Sequence, residues 1–284
     1  MRTLITGSAG RFGRSVVAVL AAAGHEVIGV DTAPGTPREA AATLPADLTD
    51  LGEAYEVLTR FRPDAVVHLA AIATPFSRTD ALTFRVNTQL AFNVCEAAVA
   101  LGAERVVVAS SPTVIGYGTA TWAPAYLPID EEHPVRPWNA YSLSKLVAEQ
   151  TMASFARRQD FTRFAAVRPC FIVAPEEWAG APTQSGHTIH ERLDRPDIAR
   201  VSLFNYIDAR DGADLVLTLI ERLPELPNGE VFFAGASDAL ARAPLAELLP
   251  YADAPAGIGP AFSTGKAGRL LGWQAKRSWR TELT

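Results

Sequence analysis

Cysteine is almost missing from this chain of 284 residues, with only Cys95 and Cys170 present. Two thiols cannot build a disulfide framework, and such sparing use fits a reducing compartment. Also missing are any run of about 18 apolar residues that would read as a membrane span and any basic, apolar-cored leader ahead of the first strand-like segment. A cytoplasmic location is the expectation. Positive charge is not in excess: the formal net charge is −5, which argues against nucleic acid or an anionic membrane as a partner. Internal repeats and low-complexity tracts are absent. His187 and His190 are three residues apart, but no cysteine lies near and Glu191 is the one adjacent carboxylate. They read as part of a polar loop, so no metal is expected. What is present is an ordinary soluble composition, 48% apolar and 20% charged. Its length allows one large domain or two interleaved lobes with a substantial core.

Residues 2–6 read as a short buried strand. Gly7-Ser8-Ala9-Gly10-Arg11-Phe12-Gly13 is a glycine-rich turn, and residues 14–23 carry Val16, Val17 and Leu20 at helical spacing. Gly24 ends that helix, and Glu26-Val27-Ile28-Gly29-Val30-Asp31 is the next strand. The turn therefore sits at the carboxyl end of the first strand of a βαβ unit. Backbone amides and a helix N-terminus attract a pyrophosphate there. Gly7, Gly10, Arg11, Phe12 and Gly13 are the candidate phosphate-loop residues, with the Arg11 guanidinium expected to help the pyrophosphate. Asp31 closes the second strand, where a carboxylate accepts both ribose hydroxyls of an adenosine and meets a 2′-phosphate with like charge. NAD is expected over NADP.

A polar, proline-containing connection (32–38) leads to a short run ending Ala46-Asp47-Leu48, and 51–61 looks helical. Residues 64–71 form a buried strand that ends in Leu69-Ala70-Ala71, small enough at its tip for a cofactor to approach the backbone. His68 within it reads as a satisfied core histidine. A long helix is expected over 87–101 and a strand over 105–111 that ends in Ser110-Ser111. Alternating strands and helices of this length imply an α/β fold of the Rossmann type, a doubly wound parallel sheet with ligands at the strands' carboxyl ends. Gly7, Asp31, Ala70 and Ser111 all fall at such ends.

Tyr141-Ser142-Leu143-Ser144-Lys145 places a phenol and an ammonium four residues apart, on one face if helical. An ammonium there favours the phenolate and draws the phenol toward working pH. Alone this spacing is common. Following a dinucleotide turn and a serine-tipped strand, it reads as a general acid/base device serving a redox cofactor. Glu131 and Glu132 read as solvated, and Trp122, Tyr126 and Trp138 as either a lid over the site or ordinary packing.

With these motifs in order, the chain resembles the NAD-dependent epimerase/dehydratase family, the extended short-chain dehydrogenases/reductases. The residues that carry the likeness are Thr6-Gly7-x-x-Gly10-x-x-Gly13, Asp47-Leu48, His68-Leu69-Ala70-Ala71, Ser110-Ser111 with Gly116, Tyr141-x-x-x-Lys145, Val167-Arg168-Pro169 and Leu270-Leu271-Gly272-Trp273. The resemblance implies Asp47 and Leu48 near the adenine, and Leu69, Ala70 and Ala71 along the diphosphate and ribose. It implies Ser111 on the reacting oxygen, Tyr141 as proton carrier, Lys145 on the nicotinamide ribose, and Asn87 supporting the cofactor and the active-site helix. Cys170 would lie near the carboxamide through its backbone. Helices like those at 87–101 and 141–157 often pair into a dimer in this family, so a homodimer is expected. Sugar 4,6-dehydratases carry Asp-Glu where this chain has Pro112-Thr113, so dehydration is not expected. The Ser110-Ser111 to Tyr117 stretch is similar to the aldose and uronate dehydrogenase branch.

In the second half, 172–186 reads as a loop, 200–207 as a strand, 212–223 as an apolar-striped helix and 230–233 as a further strand. Short helices are expected at 244–249 and 264–271. The domain expectation is an NAD-binding domain over 1–169, its sheet completed from within 200–235. A small substrate lobe is expected over 170–200 and 236–284. Nucleotide-sugar enzymes of the family usually carry a longer glycine-rich insert where this chain has its short segment 186–201. The leading expectation is accordingly an NAD-dependent oxidoreductase interconverting a secondary alcohol and a carbonyl on a small sugar-like substrate (aldose, uronate, lactone or polyol). The alternative is a sugar or nucleotide-sugar epimerase that keeps its cofactor, and a non-catalytic NAD-binding regulator comes last.

Overall fold

The computed structural model describes the chain except for Pro34, Thr36, Ala120, Pro250, Ala252, Asp253, Ala254, Ala256 and Thr284; the 32–38 connection and the 236–284 segment thus lie partly outside the described residues. In chain order the first half contains β1 Arg2–Thr6, α1 Arg11–Ala22, β2 Glu26–Asp31, β3 Ala42–Pro45, α2 Leu51–Phe61, β4 Ala65–His68, α3 Asp80–Ala100, β5 Arg105–Ala109 and α4 Ala140–Arg158. The second half contains β6 Arg163–Pro169, β7 Ile172–Val173, α5 Pro175–Trp178, α6 Ile189–Asp194, α7 Pro196–Arg200, β8 Ile207–Asp208, α8 Ala209–Arg222, β9 Glu230–Ala234, α9 Leu245–Leu248, α10 Gly265–Leu271 and α11 Trp279–Glu282.

Seven strands form one parallel sheet in the order β3-β2-β1-β4-β5-β6-β9. The order reverses between β1 and β4, and in open α/β sheets that switch point is where ligands bind. The strands are short apolar runs because both faces are covered. Ile5, Val67, Val107 and Ala165 pack with Val16, Val17 and Leu20 of α1 and Leu215, Val216 and Leu219 of α8. Their strand neighbours Leu4, Val66, Val106 and Phe164 pack on the other face with Val57 and Leu58 of α2, Leu90 and Val94 of α3, and Met152 and Phe155 of α4. A third cluster, with Val173, Trp178, Ile189, Leu193, Leu240 and Trp279, draws together side chains from 170–200 and from beyond 236.

The expected strand at 200–207 does not form. Helix α7 runs to Arg200, and Leu203 and Phe204 take φ of 52° and 58°. Left-handed residues break an extended ladder, so just Ile207–Asp208 is extended, paired with Ile172–Val173 in a separate two-stranded sheet. From that part of the chain the main sheet gains β9 alone. The 172–186 stretch holds β7 and α5 and is not a bare loop. Three helices start earlier than expected, α1 at Arg11, α3 at Asp80 and α8 at Ala209. Glu131 is not solvated: half-buried, it accepts a 2.8 Å bond from the Phe233 backbone N–H on the edge strand β9. An edge strand leaves such groups unpaired unless something covers them.

Leu4→Ala, at a position with no solvent exposure, is expected to cost about 2–5 kcal/mol in urea denaturation. Leu51→Ala, on the exposed start of α2, is expected to stay within about 0.5 kcal/mol. Equal losses would contradict this placement of the core.

Candidate active site

The cofactor turn is built by backbone crowding. Gly7 has φ +71°, and a Cβ there would sit 2.7 Å from the Ala70 nitrogen. A Cβ on Gly13 would fall 2.0 Å from the Gly7 carbonyl oxygen. Only bare backbone lets the turn, the first turn of α1 and the exit of β4 cross this closely. Thr6 fastens the crossing: its hydroxyl accepts from the N–H of Leu69 (3.2 Å) and of Ala70 (3.1 Å) and pairs with His68 Nδ1 at 2.8 Å. His68 is the satisfied core histidine expected, and burial, with Lys145 next in effect, pushes its pKa down to about 3. Gly10 is the N-cap of α1, which has no side-chain cap and no acidic residue in its first turn. The amides of Arg11, Phe12 and Gly13 thus open a helix N-terminus suited to an anion.

Asp31 stands beside this turn, accepting from the backbone N–H of Ala9 (3.0 Å) and of Ala33 (3.1 Å). A carboxylate fixed in this way retains acceptor capacity for ribose hydroxyls and opposes a phosphate on them. Leu48 is buried beneath the neighbouring loop, and Asp47 binds its own turn through the N–H and hydroxyl of Thr49. Asn93 of α3 donates to the carbonyls of Leu48 and Thr49 and so holds that loop to α3.

Two expectations about the cofactor residues need correction. The Arg11 guanidinium does not turn toward the phosphate loop; it pairs with the buried Glu177 carboxylate of α5, and Arg14 pairs with Glu176 at 2.5 Å. What Arg11 leaves to the site is its backbone amide. Phe12 is buried against Gly212 of α8 and serves packing. Cys170 is buried, with its N–H donated to the Ala234 carbonyl at 2.8 Å and its thiol pushed well up by burial.

Ser111, Tyr141 and Lys145 converge at the carboxyl ends of β4 and β5. Asn139 caps α4 by accepting from the Ser142 N–H at 2.9 Å, which puts Tyr141 and Lys145 one turn apart on its buried face. The Lys145 ammonium lies 6.0 Å from the Tyr141 ring centroid and donates to the Ala109 carbonyl at 2.8 Å. Ser111 accepts from the N–H (3.2 Å) and hydroxyl (3.0 Å) of Thr113, and its hydroxyl is near enough to the Tyr141 phenol to favour the ionised form. Burial pushes Tyr141 up to about 12, with the Ser111 hydroxyl opposing it. Burial likewise pulls Lys145 down to about 8, with Glu149 opposing. In the protein alone, then, desolvation outweighs the pull toward neutral pH expected for the phenol. A buried site charges the ionised form of both groups this cost.

Asn87 touches no reacting group. Its amide accepts from the Ile72 N–H (2.8 Å) and donates to the Ile72 carbonyl (3.2 Å) and the Ser144 hydroxyl (3.0 Å). It is a positioning residue that fastens the segment after β4, including Ala71, to the active-site helix. The three aromatic residues do not act as one lid. Trp122 packs against Tyr117, His133 and Tyr251, Tyr126 donates to Asp130, and Trp138 stands exposed beside Phe76 at 5.8 Å. Among the described residues no group of His, Cys, Asp or Glu, His187 and His190 included, could hold a metal ion. No helix among them is long and apolar enough to cross a membrane. Sequence reasoning missed Glu149, whose signal was its place four residues after Lys145, and Thr6 and Asn93, whose roles arise only from folding.

A parallel sheet with a glycine crossing at its switch point, a carboxylate beside that crossing and a Ser/Tyr/Lys set is the arrangement of a nicotinamide-dependent redox protein. The chain belongs to the NAD dependent epimerase/dehydratase family, whose model matches residues 3–235. The turn, the uncapped α1 and Asp31 all fit that family's cofactor, NAD. Among curated proteins it is similar to a UDP-glucose 4-epimerase of Mycolicibacterium smegmatis, 32% identical over 66% of this chain and 59% of that protein. It is also similar to one of Azospirillum brasilense, 36% identical over 53% of this chain and 43% of that protein. The chain thus spans about half the length of the curated relatives it matches. A short-chain dehydrogenase/reductase superfamily protein of Agrobacterium tumefaciens, solved with bound NAD, superposes with a TM-score of 0.78 at 25% identity. That match covers 100% of this chain and 95% of the other.

Gly13→Ala is expected to lower NADH affinity by at least about tenfold, because the methyl group must displace the Gly7 carbonyl that shapes the loop. NADH fluorescence titration reads this. Unchanged affinity would contradict the crossing as the cofactor site.

Proposed function

We propose that the protein is an NAD-dependent sugar epimerase, which oxidises one carbinol of a sugar and re-reduces it from the other face. The observation that carries this reading is the convergence of Ser111, Tyr141 and Lys145 at the strand ends, in a chain whose curated relatives are UDP-glucose 4-epimerases. NAD, when bound, supplies acceptance and return of the hydride. The chain supplies the proton chemistry. Tyr141 takes the carbinol proton and gives it back, Ser111 holds the reacting oxygen, and the Lys145 charge favours the phenolate. Pro112 and Thr113 occupy the turn after Ser111, so the acid and base that water loss requires are not supplied there.

A second reading, net dehydrogenation of a smaller aldose, uronate, lactone or polyol, draws on the substrate side. Between β7 and β8 lie only three short helices, of 4, 6 and 5 residues, little with which to grip a nucleoside diphosphate. We place the substrate lobe in 170–200 and 236–284, whose side chains share the cluster around Trp178 and Trp279. A homodimer through α3 and α4 is also proposed, since Phe84, Phe92 and Leu143 on these helices are 37%, 45% and 43% exposed. Such neighbouring apolar side chains favour burial against another surface.

The two readings separate on purification. An epimerase is expected to carry tightly bound NAD and to interconvert UDP-glucose and UDP-galactose with no NADH accumulating. Stoichiometric NADH from free sugars, with no interconversion, would favour the dehydrogenase. Under either reading Tyr141→Phe is expected to cost about 10²–10⁴-fold in turnover, and full turnover would overturn the mechanism. Reactions indifferent to Lys145→Ala, with NAD still bound, would leave a binding protein. Sedimentation at micromolar concentration is expected to show a dimer that Phe92→Glu dissociates; monomer alone in the parent protein would reject that interface.

A further inference from the structure

Behind the three residues described above lies a second buried charge cluster that the proton chemistry does not itself use. Glu149, on α4 one turn beyond Lys145, has a side chain only 5% exposed. Arg168 at the end of β6 reaches it with two bonds, Nε to Oε1 at 2.8 Å and Nη2 to Oε2 at 2.9 Å. The Ser110 hydroxyl donates to the same Oε1 at 2.5 Å. Arg168 is itself buried, with its guanidinium 5.3 Å from the Phe233 ring centroid.

The geometry has a consequence for the site. Lys145 binds the carbonyl of Ala109, and Glu149 binds the hydroxyl of Ser110. Two side chains one helical turn apart therefore grip two consecutive residues of one strand end, and the next residue is Ser111. We propose that Glu149, held by Arg168, is a positioning residue that fixes Ser111 against Tyr141 and keeps the neighbouring Lys145 ammonium charged. This inference rests on the redox reading of the site and deepens it.

The charges around Lys145 support the second role. His68 on β4 faces it and is neutral, Tyr141 lies one turn back on α4, and Arg168 on β6 stands behind Glu149. Of these groups Glu149 supplies the negative charge. It is the group that raises the Lys145 pKa against the burial that lowers it. A buried carboxylate bonded at both oxygens is held in one place, so its field at the ammonium is fixed and not averaged by side-chain motion. Removing the carboxylate leaves Lys145 with desolvation unopposed and with the Arg168 charge nearby, and both favour the neutral amine.

The chain has only three lysines, Lys145, Lys266 and Lys276, so ¹³C labelling at lysine Cε resolves each titration by NMR in the full-length protein. Glu149→Gln is expected to lower the Lys145 midpoint by about one pH unit or more and leave Lys266 and Lys276 in place. Ser110→Ala is expected to leave the Lys145 midpoint where it is but to lower kcat at every pH. The sugar reaction of Glu149→Gln is expected to lose about fivefold more at pH 8 than at pH 6, because a midpoint moved from about 8 to about 7 cuts the charged fraction at pH 8 from about a half to about a tenth and barely changes it at pH 6. Where the single variant fails to fold, Glu149→Met combined with Arg168→Met removes both charges at similar volume. Its Lys145 midpoint is expected below that of the parent protein. An unmoved Lys145 midpoint in the variant that folds, or a loss of activity uniform in pH, would overturn the proposal. A moved midpoint in a protein that turns over no sugar would refute the redox reading and leave the Glu149–Lys145 coupling standing.

Discussion

One ammonium held out of water constrains the centre of this protein. Lys145 reaches from α4 to the Ala109 carbonyl at 2.8 Å, and a buried charge of this kind persists only where other groups are arranged to favour it. The arrangement explains why three strand ends meet where they do. β4 supplies a neutral histidine, β5 supplies Ala109, Ser110 and Ser111, and β6 supplies the arginine that steadies Glu149. Helix α4 can present Tyr141, Lys145 and Glu149 together because they recur every four residues along its buried face. Asn87 then ties that helix to the segment leaving β4, which joins the acid/base pair to the cofactor crossing.

Much of this was legible in the sequence because it depends on local spacing. The βαβ unit, the glycine turn, Asp31 and the Tyr141/Lys145 pair are patterns within a few tens of residues, and the structure assembles them at the expected strand ends. The parts that were not legible depend on contacts across long stretches of chain. Arg11 sits in the phosphate turn, yet its guanidinium is claimed by Glu177, more than 160 positions away. Phe12 belongs to the same turn, but α8 covers it. Glu131 resembled a solvated carboxylate until the open edge of β9 gave it an amide to accept from.

The second half was harder to read for a related reason. Residues 200–207 have the apolar content of a strand, but Leu203 and Phe204 adopt left-handed backbone and the chain turns back on itself. Apolar content alone cannot distinguish a buried turn from a buried strand. This same region determines what the site accepts. Its short helices left the size of the substrate open, whereas the chemistry at Ser111, Tyr141 and Lys145 could be inferred without it. Relatives that are UDP-glucose 4-epimerases shift the balance toward epimerisation, although the chain spans only about half their length.

The central claim is that a carbinol is oxidised and restored at this site, in contrast to a carbon acid being deprotonated and reprotonated. Epimerisation of UDP-galactose in D₂O tests it most directly, with the product examined by mass spectrometry and NMR. The account predicts inverted product with no solvent deuterium at the reacting carbon, because the hydrogen taken from that carbon is the one returned. Full incorporation of deuterium at that carbon would contradict it.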